Sequence, residues 1–141
     1  MIEPIEFEVL GNPAPQGSKR HVGNGIMVES SKALKPWRDS VAQAAQDVAR
    51  ELDLATPLDL PLKMGVIFRF HMPTSRRKAV REAGVAPKTS APDLDKLVRA
   101  VGDALKVGGL IRDDALIWGL EATKVEVMGW TGAIIRLEGL R

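Results

Sequence analysis

The stretch that decides the fold is PDLDKLVRAVGDALKVGG, residues 92–109. Leu94, Leu97, Val98, Val101 and Leu105 recur there at the i, i+3, i+4, i+7 spacing of a helix with one buried face. The pattern predicts a helix over 93–106, closed by Gly108-Gly109. Upstream, Met64, Val66, Phe68 and Phe70 share one alternating phase, with Ile67 adding bulk to the other. That is a strand over 62–72 with one well-buried face. Downstream, 116–127 and 133–137 read as two strands joined by Gly129-Trp130-Thr131-Gly132. Near the start, Ile5, Phe7 and Val9 alternate with Glu6 and Glu8, a half-buried strand over 2–10.

Gly23-Asn24-Gly25 is a tight-turn signal, and 26–28 fits a short second strand of a hairpin. Trp37, Val41, Ala44, Ala45, Val48 and Leu52 then follow helical spacing to about Glu51, with Ser30 or Ser31 as a cap and Pro36 in the first turn. The expected class is α+β: one domain spanning 1–141, a mixed sheet with two main helices, in the approximate order ββαβαββ.

The 141 residues are 45% hydrophobic and 27% charged, ordinary values for a globular chain able to bury a core. There is no cysteine, which excludes disulfides and thiolate metal sites. The acidic, alternating N-terminus does not read as a signal peptide, and no apolar run reaches membrane-spanning length. A cytoplasmic location is expected. The net charge of +2 hides an uneven distribution. Between Thr74 and Pro92, Arg76, Arg77, Lys78, Arg81 and Lys88 face one acid, Glu82. Such a loop either contacts phosphate or is simply solvated. A short helical turn fits residues 79–83 within it.

Asp93 and Asp95 flank Leu94. Residues two apart on a helix point about 200° away from each other. The two carboxylates therefore converge only if Asp93 lies at or before the cap and Asp95 in the first turn. The plainer account is an N-cap and a first-turn acid favoured by the helix dipole. Asp113-Asp114, at a strand entrance, equally suits a turn. Together, several carboxylates near a basic loop invite a hard divalent cation, which takes carboxylates, waters and phosphate oxygens.

Asp95, Arg99 and Asp103 form an i, i+4, i+8 ladder, read either as surface ion pairing or as Arg99 or Lys96 facing a phosphate with Asp103 in support. Unbroken alternation puts Asp114, Leu116, Trp118, Leu120, Ala122 and Lys124 on one phase, so that Lys124 either snorkels or reaches the acidic site. His21 and His71 lack the spacing of a helical metal pair, and Ser18 has no nucleophile-elbow context. The three tryptophans read as packing or interface residues, with Trp130 placed to stack on a base.

The run Pro92-Asp93-Leu94-Asp95-Lys96-Leu97, then Asp103-Ala104-Leu105, Asp113-Asp114-Ala115 and Lys124, resembles the RusA-type Holliday-junction resolvases. So do the strand ending His71-Met72-Pro73 before the basic loop, and the Pro-rich turn after the first strand. The resemblance spans most of the chain. It implies that Asp93, Asp95 and Asp114 bind Mg²⁺, with Mn²⁺ as an alternative, and it selects the second acid of the 113–114 pair. Arg99 stands where that family commonly has a functional lysine, and Lys96 where it commonly has an asparagine. Arginine keeps the charge but does not readily give up a proton. The resemblance further implies a homodimer, of a kind often encoded by phages, cutting branched DNA at four-way junctions in recombination and repair. Lys19, Arg20, Arg76, Arg77, Lys78, Arg81 and Lys124 are the residues expected to hold DNA. Two other expectations stand beside it: a junction-binding protein without catalysis, and a structural α+β protein whose acids are caps and turns.

Overall fold

A computed structural model describes residues 3–17, 20–21, 27–28 and 32–140. Five strands make the main sheet: β1 (Ile5–Leu10), β4 (Leu62–His71), β5 (Val85–Pro87), β6 (Ile117–Val127) and β7 (Gly132–Gly139), in the order β1-β7-β4-β6-β5. The sheet is mixed. β7 runs antiparallel to both β1 and β4, β4 runs parallel to β6, and β5 is antiparallel to β6. Two residue pairs, β2 (Arg20–His21) and β3 (Met27–Val28), form a separate ladder. The helices are α1 (Leu34–Glu51), α2 (Lys78–Ala83) and α3 (Leu94–Val107).

The alternation seen in the sequence is the reason for the layering. On β4, Met64, Val66 and Phe68 are buried, and they pair with Leu137, Ile135 and Ala133 of β7, also buried. Against this face pack Trp37, Val41, Ala45 and Val48 of α1 and Leu97, Val101 and Leu105 of α3. The opposite face carries Glu6, Ile67 and Arg136, which are exposed. Burial of one complete side chain of this kind contributes about 1.5–3 kcal/mol.

Several expectations need adjusting. Leu52 is the C-cap of α1 and stands exposed, because the helix ends before its stripe reaches the core again. The N-cap of α1 is Ala33, with no side-chain cap hydrogen bond; Ser30 and Ser31 lie outside the described residues, as do Ser18, Lys19 and the Gly23-Asn24-Gly25 turn. The basic segment is not an open loop. It folds into α2, stopped by Gly84 at φ 81°, and then into edge strand β5, whose Pro87 is tolerated at an edge. The last strand is longer than the 133–137 span, running Gly132–Gly139.

α3 ends as its glycines require. Gly109 adopts φ 79°, and a Cβ on Gly108 would stand 2.8 Å from the Ala42 carbonyl oxygen of α1. Past that close crossing, Leu58 N–H donates to Leu110 O at 2.8 Å and Arg112 N–H to Leu58 O at 2.9 Å. This backbone bridge fixes where the chain re-enters the sheet.

Candidate nuclease site

The predicted residues fall along α3 and the strand after it. Asp93 is the N-cap of α3, with extended backbone (φ −67°, ψ 139°), and Asp95 is in the first turn. This is the edge placement that convergence of the two carboxylates demands. Capping is not what occupies Asp93: its side chain makes no cap hydrogen bond. Its ion-pair partner is Lys96, at 3.7 Å on the exposed surface. Among the described residues, Asp95 and Arg99 have neither a side-chain hydrogen bond nor a salt bridge, and both are exposed.

The expected acid–base–acid ladder does not form. Asp103 is paired instead with Arg38 of α1, across the α1–α3 crossing. That partner comes from a different helix and is invisible to spacing along one.

Asp113 and Asp114 part company. Asp113 is the N-cap of a 3₁₀ turn, Asp114–Leu116, and accepts from the Ala115 N–H at 3.0 Å. That hydrogen bond and the hydrogen bond with Asp114 hold its carboxyl below the usual range. Asp114 is pushed the other way, first by its hydrogen bond with Asp113, then by desolvation and by the charges of Asp113 and Asp103, against the pull of Lys106. A carboxyl so crowded by other acids gains from a nearby cation.

Because Asp114 sits in this turn, the strand phase does not run through it. The β4–β6 register also shifts at its start, from Leu62↔Ile117 to Lys63↔Gly119. The single phase expected from Asp114 to Lys124 is therefore broken. Lys124 is opposite Phe68, in step with the helix-covered side.

A Cβ on Gly102 would lie 3.6 Å from the Asp114 Cβ, so Asp114 rests against the middle of α3. Gly102 is seven residues beyond Asp95, about 10 Å along a helix axis. Accordingly, among the described residues no three His, Cys, Asp or Glu side chains are gathered into a cluster able to hold a metal. The donor chemistry nonetheless suits a hard cation: all three are carboxylates, and those of Asp93 and Asp95 have no hydrogen-bonding partner among the described residues. Arg99 lies on the helix between Asp95 and Gly102.

The cationic residues divide. Arg77, Lys78 and Arg81 are exposed on or beside α2, with Lys78 3.7 Å from Glu82. Arg76 is committed within the protein, its guanidinium donating two hydrogen bonds (2.7 and 2.8 Å) to buried Glu126. The Arg76 hydrogen bonds, ahead of its charge, hold the Glu126 carboxyl below its ordinary value of 4.5. Lys124 is committed too, its ammonium donating at 2.7 Å to both Ser90 O and Pro92 O. Sequence reasoning missed the partners of Arg76 and Lys124. A glutamate on the helix-covered phase of β6, with no apolar reason to be there, was the available signal for the first.

The Gln16 N–H donates to Lys96 O at 3.0 Å, which ties the end of the Pro-rich turn to the first turn of α3. Trp37 is core, Trp118 is exposed beneath the Lys63 ammonium, and Trp130 is covered by the Arg69 guanidinium at 4.1 Å. Trp130 is therefore occupied where base stacking had been expected. His71 is exposed. Two clefts of about 510 and 540 Å³ contain none of the predicted site residues. The acids thus line an open surface, which suits a large substrate better than a small one. No helix among the described residues is long and apolar enough to cross a membrane.

A curated protein of Bacillus subtilis (strain 168), "Uncharacterized protein YqaN", is 29% identical over 127 residues, covering 85% of this chain and 86% of its own length. The family model described as "Endodeoxyribonuclease RusA" matches residues 11–138, from the turn after β1 almost to the end of β7. The match takes in the strand–helix frame, Asp93, Asp95, Asp114 and the basic segment alike, and on it the chain belongs to the RusA endodeoxyribonuclease family of Holliday-junction resolvases.

Proposed function

We propose that this chain, as a single domain, resolves four-way DNA junctions by divalent-metal-dependent hydrolysis of phosphodiesters, with Asp93, Asp95 and Asp114 as the ligands. The observation that carries the reading is the pair of carboxylates at the start of α3, Asp93 and Asp95, without hydrogen-bond partners among the described residues, beside a family match that covers them. Mg²⁺ is the expected ion, with Mn²⁺ as a substitute. Bound there, such an ion supplies a more acidic water and neutralises phosphate charge. Asp114, whose carboxyl is raised by its hydrogen bond with Asp113, by desolvation and by the neighbouring acids, would join the ligand set, where a cation would relieve that crowding. Arg99, unpaired among the described residues and placed between the two acids, holds phosphate charge, with Lys96 beside it. Arg77, Lys78 and Arg81, with Lys19 and Arg20, grip the DNA backbone without reading sequence. Two copies related by a two-fold axis match a junction of the same pseudo-symmetry, so we expect a homodimer. A role on DNA fits the cytoplasm of a bacterial or phage-infected cell, where we expect the protein.

The test is a labelled synthetic four-way junction incubated with protein in Mg²⁺, with EDTA as control. Paired symmetric nicks that depend on the metal are expected. Asp93→Asn and Asp95→Asn should each abolish nicking and leave the junction gel shift intact. Unimpaired cleavage by both variants would sink the ligand assignment. The separation of Asp114 from Asp95 along α3 favours one rival, a protein that holds junctions without cutting them. A shifted but intact junction in Mg²⁺ and in Mn²⁺ would establish that rival.

A further inference from the structure

Lys124 touches the loop before Asp93 at three points. Its carbonyl accepts from the Lys88 N–H at 3.0 Å, where that loop leaves β5. Its ammonium donates to Ser90 O and to Pro92 O, both at 2.7 Å. Pro92 O belongs to the peptide group that joins Pro92 to Asp93. On the other side, Asp93 O accepts from the Leu97 N–H at 3.1 Å, the first bond of α3. The backbone of Asp93 is thereby held between a lysine strap and a helix. Lys124 itself is fixed by the β4–β6 ladder, opposite buried Phe68. A charged donor serving two carbonyls makes the stronger kind of hydrogen bond.

We infer that Lys124 is a positioning residue: it sets where Asp93 presents its carboxylate, and so tunes metal affinity, rather than contacting DNA. The inference rests on reading Asp93 as a metal ligand. Groups that orient a ligand typically change metal affinity by roughly 10- to 100-fold when removed. A lysine engaged on DNA phosphate behaves differently. Its loss weakens binding across all sequences and lowers the salt slope of binding by about one.

The experiment compares wild type with Lys124→Met in three measurements. Hydrogen exchange of the amides of 88–95 is followed in the metal-free protein. Mn²⁺ binding is titrated without DNA by electron paramagnetic resonance. Junction binding is measured against salt concentration in EDTA. Expected are faster exchange confined to 88–95, Mn²⁺ affinity lowered roughly tenfold or more, and an unchanged salt slope. Exchange and Mn²⁺ affinity unchanged, with the slope reduced by about one, would overturn the inference in favour of a phosphate contact. Should wild type bind no Mn²⁺, the metal reading of Asp93 fails by itself and the exchange result still decides the strap. Lys124→Gln, whose amide reaches at most one of the two carbonyls, gives an intermediate effect and serves if the methionine variant does not fold.

Discussion

Asp93 and Asp114 are brought to α3 by different means. At the N-terminal end, one side chain does the holding: Lys124 reaches out of β6 to two carbonyls of the loop before Asp93. At the Asp114 end the holding is chiefly backbone, with one side-chain cap from Asp113. The Leu58–Ile111 bridge returns the chain to the sheet, a 3₁₀ turn follows, and Asp113 caps that turn. A side-chain strap can be cut by one substitution, whereas a backbone bridge survives most of them. The first acid is thus adjustable and the second built into the fold.

The sharpest way to break this contrast is at the adjacent pair. Asp114→Asn should lower cleavage of a four-way junction roughly 10³-fold, equivalent to about 4 kcal/mol of barrier. Asp113→Asn, whose amide oxygen can still accept from Ala115 N–H, should stay within about tenfold of wild type. Equal losses in the two would erase the division of labour.

Next comes the frame around the second acid. Gly108→Ala forces a methyl into the Ala42 carbonyl and should cost about 1–3 kcal/mol in urea unfolding. An unchanged midpoint would mean that the α1–α3 crossing is looser than described.

β6 carries a second polar strap two residues beyond Lys124, Glu126 on Arg76, and it should matter less to chemistry than to stability. Glu126→Gln should destabilise by about 1–2 kcal/mol at pH 7, kept modest because Arg76 is partly exposed. The Glu126 pKa is lowered in the folded protein. Its stabilisation is therefore complete above the ordinary value of 4.5 and drains away as pH falls through the lower, folded value. The gap between wild type and Glu126→Gln should close on acidification; a gap that widens contradicts the pairing.

The smallest effect has the opposite sign. A Cβ on Gly102 meets only ordinary contacts, 3.6 Å to Asp114 and 3.9 Å to Ile117. Gly102→Ala should raise stability by about 0.5–1 kcal/mol, with cleavage retained. Lost cleavage would show that Asp114 needs that space to move.

What the sequence revealed, and what it hid, follows from range. α1, α3 and β4 were legible because their periodic apolar residues face one core. The edge position of Asp93 was legible from helix geometry. β5 was not, being three residues ending in proline, with a pairing partner far along the chain. Asp103 was misassigned because its cation comes from α1. Lys124 had no readable partner, since carbonyls carry no sequence signature. The choice of Asp114 over Asp113 came from family resemblance; in the structure Asp113 caps the 3₁₀ turn.

One further consequence lies in the parallel pairing of β4 with β6. Arg76, the basic helix, Asp93, Arg99 and Asp114 all lie within the single crossover that links those two strands. Closing so long a connection costs chain entropy before any pairing rewards it, and such non-local contacts form slowly. The nuclease apparatus is therefore a late product of folding. The site residues are brought together only when β4 pairs with β6, so that activity is expected to arrive together with the finished sheet.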